Sequence, residues 1–304
     1  MKTIMITGAS GFVGRYLAEA FLKQGNTVVG LGTSANHSFE QQYDKFIWIS
    51  ADTSLPGSWQ DHVSGADIII NLAGRNIFKP WTRAYKEAIY DSRIQTTRNV
   101  VDAMGEAWTG QLISASAAGY YGDRNDTVLY ETDSCGNGFL AQVCKDWEAE
   151  AFRAEEKGAK VCVMRLGVVL GKGGALTVMG RAFKFFVGGP LGSGKQWFPW
   201  IYIEDLARAV LFLVSEDNSG VFNFTGPVPL RQKDFAKALG RALMRPAFMP
   251  APAFMVKLVM GELGGSLLQS QKALPAGLEN KGFTFACQTA GRALGHIYPK
   301  VNKK

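Results

Sequence analysis

Residues 8–14 read GASGFVG and place glycines at Gly8, Gly11 and Gly14. Each glycine at this spacing has a separate physical task. Gly8 permits a tight turn, Gly11 lets backbone approach a pyrophosphate, and Gly14 allows a helix to pack closely on a strand. The helix start that follows offers N–H groups and a positive dipole end to phosphate. The apolar run Thr3-Ile4-Met5-Ile6 precedes the loop, and Leu17, Ala18, Phe21 and Leu22 follow it at helical spacing, so strand, turn and helix stand in the order a dinucleotide loop requires. A carboxylate closing the next strand would grip an adenosine ribose and select NAD. The segment Gly32-Thr33-Ser34-Ala35 has none. Arg15, Thr33 and Ser34 are instead expected to meet a 2′-phosphate, which makes NADP (NADPH) the expected cofactor ahead of NAD. The alternative for Arg15 is an ordinary solvated helix residue.

Other chemistries find little support. Cys135, Cys144, Cys162 and Cys287 form no CxxC pair, and His37, His62 and His296 are scattered, so neither a metal site nor a Ser-His-Asp arrangement is expected. Gly189-Pro-Leu-Gly-Ser-Gly194-Lys195 imitates a phosphate loop, but Gln196 replaces the required Ser or Thr and WFPW follows where a helix should begin. The formal charge of +7 is uneven: residues 1–160 hold 15 Lys and Arg against 19 Asp and Glu, residues 161–304 hold 18 against 7. That asymmetry suits a small anionic substrate or a merely solvated face. The cations are too dispersed for nucleic acid. No apolar run reaches membrane-spanning length and the N-terminus lacks a secretory pattern, so a soluble, cytoplasmic protein with no membrane partner is expected. A homodimer remains open.

The elements that must position these residues alternate. Strands are expected near residues 3–6, 27–31, 46–49, 66–71, 112–114, 161–164 and 221–224, the first four reading as buried on both faces. Helices are expected near 82–104, 138–157, 203–214 and 233–243. This order predicts an α/β fold, a doubly wound parallel Rossmann sheet with a smaller C-terminal substrate region. The Pro-rich stretch from Arg245 to Met255 reads as a joint, giving domains at 1–245, with cleft loops at 171–202, and at 246–304, the latter helical.

TGASGFVG, NLAG at 71–74, SASAAGYYG at 114–122, MRLGVVLG at 164–171 and PWIYIEDLARAV at 199–210 resemble the extended short-chain dehydrogenases/reductases, the superfamily of nucleotide-sugar epimerases. DSRIQTTRNV at 91–100, FLAQVCKDWEAEA at 139–151, GGPLGSGKQWFPW at 188–200 and LLQSQKALPAGLENKGFTF at 267–285 resemble more narrowly the atypical "epimerase family protein" subgroup, whose members end in a domain of unknown function. The resemblance implies that Gly8, Ser10, Gly11, Phe12, Val13 and Gly14 line a pyrophosphate and that Asp52 touches adenine. It implies that Asn71, Leu72 and Ala73 pass beneath the cofactor. Ser114 and Ala115 would lie at its nicotinamide end, bordered by Arg165, Leu166 and Gly167.

One departure bears on catalysis. The superfamily uses Tyr-x-x-x-Lys, in which Lys lowers the phenol pKa toward neutrality. No tyrosine of this chain has Lys four residues on: Lys145 has Ala141 four residues before it, and alignment on Glu148 instead puts Leu140 and Cys144 in those positions. The usual serine slot falls on Ala117, with Ser116 one place away. Tyr120 and Tyr121, just beyond that strand, are candidate proton donors or else core aromatics. Lys79, Arg93 and Lys195 are candidates for a substrate phosphate or carboxylate, and Trp81, Trp197, Trp200 and Tyr202 for stacking on a ring. Two functions follow: an NADP-dependent oxidoreductase or nucleotide-sugar epimerase-like protein acting on a small anionic molecule, or a non-catalytic NADP-binding sensor or scaffold.

Overall fold

The computed structural model describes residues 1–106, 108–216 and 218–299; residues 300–304, at the end of the expected C-terminal region, lie outside the described residues. In chain order the elements are β1 Thr3–Thr7, α1 Phe12–Lys23, β2 Thr27–Gly32, β3 Phe46–Ser50, β4 Ile68–Asn71, α2 Arg83–Asp102, β5 Gln111–Ala117, β6 Val128–Leu129, α3 Phe139–Phe152 and β7 Lys160–Leu166. There follow β8 Val168–Leu170, α4 Gly174–Lys184, β9 Trp197–Phe198, β10 Trp200–Tyr202, α5 Ile203–Ser215, β11 Gly220–Phe224, β12 Leu230–Arg231, α6 Gln232–Leu243, α7 Ala253–Leu267, β13 Lys272–Ala273, α8 Ala276–Asn280 and α9 Ala290–Ile297. Seven strands form one sheet in the order β11-β7-β5-β4-β1-β2-β3. The Rossmann expectation is met: β1 lies parallel between β2 and β4, and the strand order reverses direction at that point.

The pattern of burial explains why these residues adopt these elements. TIMIT in β1 and IIIN in β4 are almost wholly buried, the signature of central parallel strands covered on both faces. The expectation that β3 shares this burial is corrected. It is the edge of the sheet, and Ile47 is 49% exposed. Helix α1 buries Leu17, Ala18, Phe21 and Leu22 as their spacing requires. Thr82 caps α2 by accepting from the Tyr85 amide at 3.1 Å.

The chain divides into two compact units: 1–116, 143–164 and 207–221, and the remaining segments 117–142, 165–206 and 222–304. In the first, Met5, Val29, Ile69, Leu112 and Val163 from the sheet meet Val100 and Val101 of α2 and Ala151 of α3 in one core. In the second, Leu170, Trp200, Phe235 and Leu239 pack with Ala293, Leu294 and Ile297 of α9. Asp205, 1% exposed, accepts from the amides of Ala286 (2.7 Å) and Cys287 (2.9 Å), which ties the segment before α9 to the start of α5.

One polar network crosses the first unit. The Asn71 carboxamide, fully buried at the end of β4, donates to Thr97 Oγ1 of α2 (2.7 Å) and Ser114 Oγ of β5 (3.3 Å). It accepts from Thr7 Oγ1 of β1 at 2.7 Å. Asn71→Leu is expected to lower stability by about 1–3 kcal/mol, because it leaves buried hydroxyls without partners. Urea denaturation checks this, and an unchanged midpoint would show that the network carries no stability.

Candidate active-site cleft

Where the strand order reverses, the loops after β1, β2, β3 and β4 enclose a cleft of about 520 Å³. Gly8, Ser10, Gly11, Thr33, Asp52, Leu72 and Ala73 line it, all picked out in the sequence. Gly32, Ala51, Thr53, Ser54, Gly74, Arg75, Ser92 and Thr96 line it too and were missed. The polar run Asp52-Thr53-Ser54 was a usable signal, whereas Ser92 and Thr96 enter only because α2 packs beneath the loop after β4.

The glycines differ in what they do. Gly8 has φ +70°, and a β-carbon there would press on the Ala73 backbone at 3.1 Å. A β-carbon on Gly14 would collide with the Gly8 carbonyl, so Gly14 serves close helix–strand packing. Gly11 would meet only the Gly8 carbonyl, at 3.1 Å, and otherwise faces open space. As N-cap of α1 it offers no side chain to the first-turn amides, which leaves those donors for an anion.

Phe12, Val13 and Gly14 open α1 behind the loop and do not line the cleft. Arg15 and Ser34 stand outside the lining as well. Arg15 donates to Ser38 Oγ at 2.7 Å and its guanidinium lies 4.6 Å from the Phe39 ring. It is thus held against the loop that follows β2. His37, 5% exposed, packs 4.9 Å from Phe46 and 5.0 Å from Trp48 and accepts from the Phe39 amide. Burial and then the Arg15 charge hold its pKa below the ordinary imidazole value.

Other expected residues are placed differently. Ser114 and Ala115 are 1% and 3% exposed and lie outside the cleft lining, Ser114 being spent on Asn71. Ser116, 2% exposed, donates to Glu148 Oε1 of α3 at 2.5 Å. Cys144 of α3 is buried. Arg93 of α2 donates to the carbonyls of Ile89 (3.0 Å) and Arg75 (3.1 Å) and lies 5.3 Å from the Trp147 ring. Gly74 makes room for this: a β-carbon there would stand 2.9 Å from Arg93 Cζ. None of the described residues pairs a carboxylate with Arg93, so a fixed cation stands behind the wall that Gly74 and Arg75 give the cleft. Lys79 lies 5.8 Å from the Tyr85 ring, and the Trp81 indole donates to the Ile77 carbonyl.

In the second unit, Arg165 is 3% exposed and faces the Tyr120 ring at 3.5 Å. It donates to Tyr121 Oη and to the Glu131 carbonyl, both at 3.0 Å. Tyr121 is fully buried, its hydroxyl 2.7 Å from Asn223 Oδ1 and 3.0 Å from the Tyr130 carbonyl. Burial, only partly offset by Arg165, pushes this phenol up to about 12. As a proton donor near neutrality Tyr121 is therefore corrected to a core aromatic, while Tyr120 stays half-buried. Leu166 ends β7, and Gly167 packs against the Pro199–Trp200 backbone. Trp200, at 1% exposure, is likewise corrected from a stacking platform to core, and Tyr202 stacks on His296. Lys195 lines a separate 440 Å³ pocket with Arg231 and Lys233. Trp197 lies between Arg231 (3.9 Å) and Lys272 (4.6 Å) and donates to Asp126.

The model of the NAD dependent epimerase/dehydratase family matches residues 4–224, and that of a domain of unknown function matches residues 251–297. A chloroplastic epimerase family protein SDR39U1 homolog of Arabidopsis thaliana is 38% identical, covering 97% of this chain and 86% of its own. An epimerase family protein of Mycobacterium bovis is 39% identical with 96% of each chain covered. The crystal structure of human epimerase family protein SDR39U1 with NADPH superposes with a TM-score of 0.85 at 28% identity, over 98% of this chain and 100% of that one. The glycine loop, the sheet order and matches along almost the whole chain agree: this protein belongs to the NAD dependent epimerase/dehydratase family.

Proposed function

We propose that the chain binds NADP(H) in the cleft of its first unit and acts as an oxidoreductase or epimerase-like enzyme on a small anionic molecule. The observation that carries the cofactor reading is the carboxylate-free end of β2 together with Arg15, held by Ser38 at 2.7 Å on the loop that Thr33 and Ser34 begin. The NADPH in the human relative supports it. The cleft suits a dinucleotide: Gly11 leaves open the space a side chain would fill, and the first turn of α1 has no side-chain acceptor. When bound, a nicotinamide supplies the hydride chemistry.

The chain's own residues then have these parts. Gly8, Ser10 and Gly11 present backbone to the pyrophosphate, Asp52 and Ser54 flank the adenine, and Arg15, Thr33 and Ser34 meet the 2′-phosphate. Arg93, its fork held by two carbonyls, lends positive charge to the cleft wall from behind Gly74, where an anionic group is favoured. Tyr120, half-buried in the second unit, is the proton donor in this reading; within the first unit Ser116 and Glu148 form a buried hydroxyl–carboxylate pair. The sensor reading has its own support: no tyrosine of this chain has Lys four residues on, and Tyr121 is locked.

NADPH is expected to bind at least tenfold more tightly than NADH, about 1.4 kcal/mol, and Arg15→Ala to erase most of that preference. Calorimetric titration decides it, and equal affinities in the wild type would refute the assignment. Gly11→Val is expected to abolish NADPH binding by fluorescence while circular dichroism stays native; retained affinity would show that the loop holds no pyrophosphate. With a substrate found by screening phosphorylated and nucleotide-linked sugars and small carbonyl compounds for NADPH oxidation, Tyr120→Phe is expected to cut turnover by about 10²–10⁴ at unchanged cofactor affinity. Full activity in that variant would remove Tyr120 from the mechanism.

A further inference from the structure

A face of the second unit takes no part in either pocket chemistry described above. The segments 185–187 and 244–259 present Phe185 (77% exposed), Phe248 (71%), Phe254 (69%), Leu258 (81%) and Val259 (79%) to solvent. Exposed aromatic and branched side chains in such number are unusual for a surface that meets only water. The two segments form one surface because the chain joins them. Leu191 and Ala251 make a parallel bridge, the Gly192 amide donates to the Ala251 carbonyl at 2.8 Å, and Arg245 lies 4.9 Å from the Phe186 ring.

The charges around this face are mostly of one sign, Glu262 of α7 being the exposed carboxylate beside it. Residues 161–203 and 235–261 contain no Asp or Glu, while Arg181, Lys184, Arg245 and Lys257 are all exposed there. On the first turns of α7, Phe254, Leu258 and Val259 recur at helical spacing on the outward side, while Val256 is buried beneath. A second copy of the chain joined through a two-fold axis would set these four cations against their own images with only Glu262 of each copy to compensate. A bilayer rich in anionic lipid answers both features, taking the apolar side chains into the headgroup boundary and the cations to its phosphates.

We propose that this face docks the protein on the surface of an anionic lipid bilayer. The docking is adsorption: α7 has 15 residues, and among the described residues no helix is long and apolar enough to cross a membrane. The expectation of no membrane partner rested on the absence of a span, which adsorption does not need. Lys257 and Glu262 also line a 770 Å³ cavity together with Gly261, Gly265 and Leu268.

Co-sedimentation of the full chain with vesicles of phosphatidylcholine alone, and of phosphatidylcholine with phosphatidylglycerol, tests this. Binding is expected only to the anionic vesicles and to fall at least tenfold in high salt. The exposed double variant Leu258→Ser/Val259→Ser, and separately Lys184→Glu/Arg245→Glu, are expected to lose binding at least tenfold while keeping native circular dichroism and wild-type NADPH affinity. No binding to either vesicle, or equal binding to both, would overturn the proposal. So would a wild-type dimer by light scattering that Leu258→Ser/Val259→Ser converts to monomer, since the face would then belong to a second copy.

Discussion

The buried carboxamide of Asn71 is the constraint on which the cleft depends. It accepts from Thr7 and donates to Thr97 and Ser114, fixing the ends of β1, β4 and β5 and the side of α2 in one arrangement. Thr7 Oγ1 in turn accepts from the amides of Leu72 (3.1 Å) and Ala73 (3.2 Å), turning the chain after β4 across the front of β1. Gly8 can then pack on Ala73, and Gly14 on Gly8, only because no β-carbon intervenes. A buried polar group is costly unless every partner is satisfied. The register of these strand ends is therefore specified more sharply than apolar packing alone would specify it.

A second arrangement sets the charge at the cleft wall. Arg75 lines the cleft itself, and behind it α2 brings a second cation, Arg93, against Gly74. Its fork is held by two carbonyls and rests beside Trp147, so its position costs little further ordering on binding. In the second unit the buried Arg165 is occupied by two tyrosines and a carbonyl and works as a structural clamp.

The glycine loop, the strand–helix alternation and the carboxylate-free end of β2 were legible because each depends on short-range geometry. A turn at φ +70°, a helix stripe of Leu17, Ala18, Phe21 and Leu22, and a strand of Ile and Thr are local facts. Reading burial on both faces into β3 failed, since FIWIS is as apolar as its neighbours and only the strand order makes it an edge.

The sequence by itself thus determined the family, the Rossmann core and the glycine loop between β1 and α1, all written in spacing and residue type. Tertiary structure alone decided which polar side chains face the cleft and which are consumed in the core. Ser114, Tyr121, Arg165 and Trp200 carry the same chemistry as exposed functional groups would, yet are 3% exposed or less. What removes them is contact with residues far away in the chain, as in the bond from Tyr121 to Asn223. Burial and partnership are properties of the packed molecule, so no local pattern records them.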